Sequence, residues 1–531
     1  MSRYFLVLIV CLLSYCANGQ QIVQRTYSNI GPNKMIKTYD GGFLICGNHT
    51  YSSLKSNALI IKVDSIGQLI WTKSFEDTIG LHNLIDIIAT SDQNYLAVFL
   101  TNTSNPIKLI KFNNNGDILN TTHYISNSIY SLRGVFEAEN GNIIAYGFAL
   151  SAAIFSGPVD FFIMKTDSNL NVIWAKQINY KYQSQFIRGL MLSDGSYLFQ
   201  GTAYDTTPTP TRNDLVLAKT DTAGNFIWFK QSGNFQVGSG MGNGTAIVTN
   251  YGDMIEKNGS IYNAFNVGWF SNFYQYDIVI QKLDLNGNEI LAHQFGNDAG
   301  GTHETQTISG FKQNELMFST HGHFVKTDDN LNLIWAKRCQ PILQQLSILN
   351  SLIVSDYCYY GLSMFVNSNI AFSLFTKTDS LGDIGCKGIP SSALFNQQIV
   401  VGTYDRLNLL TQSSVPLSSI SIQNQAQIIT FINDSLQCLT ATSIGAVSSK
   451  NNLNLSLLEN VVSDEIKIQS QDDESILTEF SVYSIKGIQL LKIGKSIQRE
   501  NIIAVTELQP GFYFLKIHNR KVETFFKFIK L

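Results

Sequence analysis

Two histidines, His321 and His323, stand two apart, a spacing that sends both imidazoles to one face of a strand, where they could share a metal ion. No third ligand is evident, so the pair reads as two polar residues near a loop. His303-Glu304 lacks the second His that a zinc-protease motif needs. Asp284, Asn286 and Asn288 carry oxygens at the spacing of a calcium loop, but Gly287 is misplaced for one. The run Gly238-Ser239-Gly240-Met241-Gly242-Asn243-Gly244 has the glycine content of a phosphate cradle, yet it neither follows a clear strand nor opens a helix and reads as a flexible loop. None of these is a complete constellation. The sequence therefore assigns no catalytic residue, no cofactor or cofactor-binding residue and no metal ligand, and it leaves the ligand-binding residues unknown.

The elements that would position any chemistry come from a phrase repeated seven times. Its first copy is Ile61-Lys62-Val63-Asp64-Ser65-Ile66-Gly67-Gln68-Leu69-Ile70-Trp71-Thr72-Lys73, and the others centre on Lys111, Lys165, Lys219, Lys282, Lys326 and Lys377. A repeat of this length is one supersecondary unit that cannot bury its own apolar faces, so copies must stack. In the fourth copy, residues 187–191, 196–202, 215–220 and 226–231 have strand-like composition, with turn signals between them. Four antiparallel strands per copy make a propeller blade, and seven copies make a seven-bladed ring.

Within the phrase, Asp at the first turn position can accept hydrogen bonds from amides just ahead, and Gly at the fourth supplies the left-handed conformation of a bulged type I turn. Copies three and six read Asn169-Leu170-Asn171 and Asn330-Leu331-Asn332 instead, and Asn tolerance of positive φ predicts a surviving turn with shifted geometry. Trp71, Trp174, Trp228 and Trp335 recur at one position after the turn. Recurrence argues for a wedge between neighbouring units, each buried ring being worth about 2–3 kcal/mol, over an aromatic ligand platform. The interval from Lys219 to Lys282 is the longest and that from Lys282 to Lys326 the shortest, which predicts the largest loop between copies four and five and the tightest hairpin in copy six.

The seventh copy has Asp383-Ile384-Gly385-Cys386 where the fourth strand should be. Residues 21–28 resemble that missing strand and are expected to complete the seventh unit, which would leave no open edge.

At 44% hydrophobic and 15% charged, the 531 residues suit a large core, and a net charge of −3 gives no electrostatic reason for nucleic acid as a partner. Residues 1–19 read as a secretory signal peptide: Arg3, an apolar run from Phe5 to Leu13, then Ala17-Asn18-Gly19. Leu13-Ser14-Tyr15-Cys16 looks like a lipobox, but Tyr15 sits where Gly or Ala belongs. No other window is apolar enough to span a bilayer, so no membrane insertion is expected. Beyond the leader, Cys46, Cys339, Cys358, Cys386 and Cys438 are an odd, scattered set rather than a disulfide framework, with one bridge, Cys358 to Cys386, as an option.

Residues 388–451 are Ser, Gln and Val rich and could be a small sandwich or an irregular cover on the ring. Beyond them come Val461-Val462-Ser463-Asp464-Glu465-Ile466-Lys467-Ile468, Phe480-Ser481-Val482-Tyr483 and Leu508-Gln509-Pro510-Gly511-Phe512-Tyr513-Phe514, then Phe526-Lys527-Phe528-Ile529-Lys530. This segment resembles the type A C-terminal sorting domain of the type IX secretion system, with Asn460-Val461 where that family has Asn-Pro. The resemblance implies a small β-sandwich read by the outer-membrane translocon, and a protein secreted or attached to the outer surface of a Gram-negative bacterium. The repeat resembles propellers found in cargo of that system, and Asp-Ser/Thr-aliphatic triplets such as Asp64-Ser65-Ile66 resemble its O-glycosylation acceptor. The turn-plus-Trp phrase also resembles quinoprotein propellers, whose vicinal Cys pair is absent here, and sialidase Asp-boxes, whose spacings are one residue shorter.

The expected organisation is all-β: 1–19 signal peptide, 20–387 seven-bladed β-propeller closed by the N-terminal strand, 388–451 β-rich connecting or covering segment, and 452–531 sorting domain forming a small C-terminal β-sandwich. The expected function is a monomeric binding or adhesion scaffold for a protein or glycan, with the secretion machinery as its other partner. The competing reading is a carbohydrate-active hydrolase with acidic residues on the loops of the ring.

Overall fold

In a computed structural model the protein is nearly all β, with no α-helix among the described residues. The description covers the strands and tight turns between Gln21 and Lys530; residues 1–20 and most longer connections, among them 75–81, 151–158, 206–211, 233–245, 297–304, 339–347, 379–388, 442–454 and 471–476, lie outside it. The leader peptide, Cys358 and Cys386 are therefore outside the described residues.

Each copy of the repeated phrase falls in its own antiparallel meander. Sheet one comprises Gly31–Lys37, Phe43–Ser52, Lys55–Val63 and Leu69–Ser74, and sheet two comprises His82–Ala89, Tyr95–Thr101, Ile107–Phe112 and Ile118–Ile125. Sheet three runs Ile129–Glu137, Ile143–Leu150, Val159–Thr166, Val172–Asn179; sheet four Gln183–Met191, Tyr197–Asp205, Arg212–Thr220, Phe226–Ser232. A single parallel bridge, Val159 to Gln183, links these two. Sheet five contains Ala246–Lys257, Ser260–Ser271, Phe273–Leu283 and Glu289–Gly296, and sheet six Thr305–Phe311, Glu315–Thr320, His323–Asp328 and Leu333–Arg338. Sheet seven has Ile348–Val354, Tyr359–Asn367 and Ile370–Lys377, and the next strand in its order is the N-terminal Gln21–Ser28.

The first strand of each meander adjoins the first strands of both neighbours, and that of sheet seven adjoins that of sheet one, so the order closes on itself. The cores lie between sheets. One cluster joins Leu44 and Ile60 of sheet one to Leu84 and Tyr95 of sheet two, another joins Phe161 to Phe199 across sheets three and four, and another joins Phe43 and Ile61 of sheet one to Tyr27, Leu362 and Phe375 of sheet seven. A four-stranded unit thus buries its faces only against the next one.

Outside the fourth strands runs a further layer. Ile389–Pro390 pairs with sheet six, Phe395–Ile399 with sheet five, Thr403–Asp405 with sheet four, Thr411–Ser414 with sheet three, Ser418–Ser421 with sheet two and Gln427–Ile428 with sheet one, all antiparallel. Asp434–Ala441 is the last strand of sheet seven, beside Gln21–Ser28.

Two expectations about the repeat need correction. In copies three and six the left-handed residue is Leu170 (φ 71°) or Leu331 (φ 63°), not Asn, and the turn geometry is unshifted: Leu170 N donates to Asp167 O at 3.0 Å as Gly67 N donates to Asp64 O at 3.0 Å. A left-handed Leu costs about 1–2 kcal/mol, offset here by complete burial of its side chain. The length difference between copies also enters strands as well as loops, the first three strands of sheet five having 12, 12 and 11 residues against 7, 6 and 6 in sheet six.

The C-terminal module is a separate small pair of sheets. Leu455–Leu457, Glu465–Ser470 and Glu500–Ala504 form one; Val461–Val462, Glu523–Lys530, Gly511–His518, Leu477–Ser484 and Gln489–Ser496, in that order, form the other. Ile466, Ile468 and Ile503 of the first share a core with Phe480, Leu515, Ile517 and Phe528 of the second. Tyr513 stacks on Phe528 at 5.6 Å and donates its hydroxyl hydrogen to Gln509 O at 2.6 Å, holding the start of its own strand.

Candidate functional site

The repeated residues are absorbed in holding sheets together. Each repeat lysine sits near the end of a third strand and is buried or half-buried. Lys62 meets Asp40 at 2.5 Å, Lys111 meets Asp92 at 2.6 Å, Lys219 meets Asp194 at 2.7 Å and Lys326 meets Glu315 at 2.8 Å, while Lys165 meets Glu139. All five acids stand between the first and second strands of the same sheet or at the edge of that hairpin. The same ammonium groups then reach the following sheet. Lys62 donates to Asn114 O at 3.2 Å, Lys111 to Ser168 O at 3.3 Å, Lys165 to Thr222 O at 3.2 Å, Lys219 to Leu285 O at 3.2 Å and Lys282 to Asp329 O at 3.1 Å, always the second residue of the next turn.

Three tryptophans lie between sheets rather than on a ligand platform. A Cβ added to Gly116, Gly224 or Gly287, the turn glycines of the following sheets, would stand 3.1, 2.7 or 3.0 Å from the ring of Trp71, Trp174 or Trp228. Asp284 is likewise spoken for: its carboxylate accepts from the amides of Asn286 and Asn288 at 2.9 and 2.7 Å and from the Asn288 side chain at 2.9 Å, which is a turn and not a calcium site. Among the described residues no group of three or more His, Cys, Asp or Glu could hold a metal. His321, His303, Glu304 and residues 238–244 lie outside them, and His323 begins a strand of sheet six. Cys46 is a free, buried thiol pushed up to about 12 by burial, with Asp86 adding to the rise.

What the repeat does not absorb collects on the first strands, which adjoin one another from sheet to sheet. All seven carry a β-bulge at the same depth, between Pro32 and Lys34, Leu84 and Asp86, Leu132 and Gly134, Phe186 and Arg188, Val248 and Gly252, Thr305 and Thr307, and Leu349 and Ser351. A bulge re-aims the side chain that follows it. At these points sit Lys34, Asp86, Arg188 and, one residue on, Asp253, with Arg133 inside a bulge.

The charges form two similar bridges. In the first, the Asp86 carboxylate accepts from Lys34 Nζ of sheet one at 2.5 Å, from the Ile87 amide at 2.9 Å and from the Val135 amide of sheet three at 3.0 Å. In the second, Asp253 stands 3.7 Å from Arg188 Nε of sheet four and accepts from the Met254 and Ile308 amides at 3.0 Å each, the latter on sheet six. Burial raises the Asp253 carboxyl above its ordinary range, against the opposing pull of Arg188, the two amides and, through space, Lys34. Tyr146 lies behind both bridges; burial raises its phenol, Asp86 and Asp253 adding and Arg188 opposing. Gly134 has to be glycine, because a Cβ there would meet the Tyr146 hydroxyl at 2.2 Å and Asp86 Oδ2 at 2.9 Å.

The cations keep open ends. Lys34 and Arg188 retain 37% and 38% of their side-chain exposure, against 7% and 22% for Asp86 and Asp253. Arg133 is exposed, stacks over Phe148 at 5.2 Å and donates twice to Gln185 Oε1, at 3.2 and 3.0 Å. One exposed cation and two partly exposed ones, set against two largely enclosed carboxylates, can take an acidic group by charge-assisted hydrogen bonds. Sequence reasoning missed them, because each occurs once and only the recurring bulge marks its position.

Residues 460–531 match the family model for the secretion system C-terminal sorting domain. No curated protein matches the chain. Among solved structures, a protein of unknown function from Bacteroides caccae aligns at 11% identity over 50% of this chain and 92% of its own, with a TM-score of 0.30. The polysaccharide lyase Uly1 aligns at 8% identity over 65% and 89%, with a TM-score of 0.39. The extracellular domain of a one-component system from B. thetaiotaomicron aligns at 12% over 94% and 81%, with a TM-score of 0.15. These three are too distant to argue function from. The sorting domain is specific: the chain is cargo of the type IX secretion system, secreted or attached to the outer surface of a Gram-negative bacterium.

Proposed function

We propose that residues 20–387 form a seven-bladed β-propeller closed by the N-terminal strand, that a 1–19 signal peptide precedes it, and that the whole is a binding scaffold delivered to the cell surface by the 452–531 domain. Its ligand is a protein or glycan bearing an acidic group, held on the first strands, the inner wall of that ring. The observation that carries this reading is the division of labour among charges. The repeat lysines are buried or half-buried and bonded, whereas Lys34, Arg133 and Arg188 present exposed or partly exposed cationic ends at the bulges.

An array of acidic and neutral glycans and of surface proteins, probed with the full chain and with Arg133→Gln/Arg188→Gln, tests it. The parent binds acidic ligands with an affinity that falls as salt rises, and the variant loses at least tenfold. Binding untouched by the double substitution would remove the inner wall as the site. The hydrolase reading retains one support, the raised Asp253 carboxyl beside an inner-wall cation, a combination used by general acids. Release of new reducing ends from a bound glycan, abolished in Asp253→Asn, would favour it.

A further inference from the structure

The segments that pair outside the ring come from one stretch of chain, 389–441, and meet sheets six, five, four, three, two, one and seven in that order. The winding is opposite to chain order and visits every sheet. Each contact is short, two to five residues on six of the sheets and a strand of eight on sheet seven. A two-residue pairing is negligible alone, but linked segments raise one another's effective concentration, so the series can hold as a unit.

Where side chains are described, the stretch also spans the joints between sheets. Gln412, paired on sheet three, donates to Gly224 O in the turn of sheet four at 2.9 Å. Leu410 packs on the cluster shared by sheets three and four, and Val415 on the cluster shared by two and three. The Val415 amide donates to Ala175 O at 2.9 Å.

The place where the ring can open is sheet seven, whose fourth strand, Gln21–Ser28, is held there without chain connection to its neighbour Ile370–Lys377. The longest outer segment, Asp434–Ala441, lies on the other side of that strand. An edge strand with one neighbour becomes an interior strand with two. We infer that the seven paired segments within 389–441 act as a strap that locks the ring from outside: they cap the seven outer edges, which would otherwise be templates for foreign strands, and clamp the N-terminal strand in sheet seven, so the ring opens only after the strap lets go.

Hydrogen exchange on the full-length chain tests this, read at the amides of residues 21–28. Replacing 434–441 by an eight-residue Gly/Ser stretch should speed exchange there at least tenfold. Val415→Pro removes the amide bonded to Ala175 far from the opening and, if the strap works as a unit, should also speed exchange at 21–28, by about threefold. Ser414→Pro is its control, since the alternation of an antiparallel pair turns that amide away from the sheet, and should change nothing at 21–28. Unchanged 21–28 amides in the Gly/Ser chain would overturn the inference, and so would a Val415→Pro effect confined to sheet three. Should the Gly/Ser chain fail to fold, the comparison of the two proline variants decides alone.

Discussion

Five of the joints between neighbouring sheets fall into two kinds. At the joints from one to two, three to four and four to five, a Trp on the fourth strand presses on a turn glycine of the next sheet, and a lysine two residues on lies 5.4 to 5.8 Å over that ring. That lysine also reaches the end of the next turn, Lys230 meeting Asn288 Oδ1 at 2.8 Å. At the joints from two to three and five to six the Trp position holds Asn120 or Leu291, and the turn residue is Leu170 or Leu331. There the bulk comes from the other side. Leu170 shares a cluster with Tyr124, whose hydroxyl donates to Leu170 O at 2.8 Å, and Leu331 shares one with Phe295 and Leu291. The joint has a fixed volume to fill, and large residues are divided so that one side or the other supplies it.

The largest effect expected from this comparison is at Gly287. Gly287→Leu imposes a left-handed Leu and drives its Cβ to 3.0 Å from the Trp228 ring, and should cost more than about 3 kcal/mol in denaturant unfolding of the full chain. Trp228→Leu alone should cost about 2–3 kcal/mol through the cavity it leaves. The double variant converts the joint to the other kind and should be at least about 1 kcal/mol more stable than the two single costs add to. Strict additivity would mean the two residues do not share one volume.

Much of this was legible because it repeats. The seven phrases map onto seven meanders, and the turn Asp and wedging Trp follow from their fixed spacing. The left-handed Leu was not legible: preference for positive φ points to Asn, and only the neighbour's missing Trp explains why Leu is used. The lysine partners escaped because the acids differ in type and distance, Asp40, Asp92, Glu139, Asp194 and Glu315 standing at unequal intervals from their lysines. A cover was one of the two readings of 388–451, but its pairing with each sheet was not legible, since segments of two to eight residues carry no usable hydrophobic period. Nothing in Thr411-Gln412-Ser413-Ser414 says that it pairs with Lys176–Asn179 more than two hundred residues away.

The lysine bridges cut across the two kinds of joint, which makes them an internal control. Lys219 serves a Trp joint and Lys111 a Leu joint, with the same partners on both sides. Removing the acid strands a nearly buried ammonium, whereas removing the lysine releases an acid that solvent can reach. Asp194→Ala and Asp92→Ala should therefore each cost about 1–3 kcal/mol, more than Lys219→Met or Lys111→Met. Equal costs for acid and lysine would show that the ammonium finds another acceptor.

The smallest effect is in pH. Burial alone would raise the carboxyls of Asp92 and Asp194, but hydrogen bonds outweigh it, from Lys111, Thr90 and Asn94 in one case and from Lys219 and Ser196 in the other, and both come down to about 2. A carboxyl depressed in the folded chain contributes stability above its unfolded value, 3.8, and loses it as pH falls through the folded one. With 47% and 42% of these side chains exposed, solvent screening keeps the contribution well below what the shift alone implies. The gap in melting temperature between the parent and Asp92→Asn, and between the parent and Asp194→Asn, should hold steady from pH 7 to 5 and close between pH 4 and 2. Because the bridges are alike, both gaps should close in the same window although one spans a Leu joint and the other a Trp joint. A gap that closed at only one of them would tie the bridge to the packing beside it, and the two kinds of joint would then differ in their electrostatics as well as in where they place their bulk.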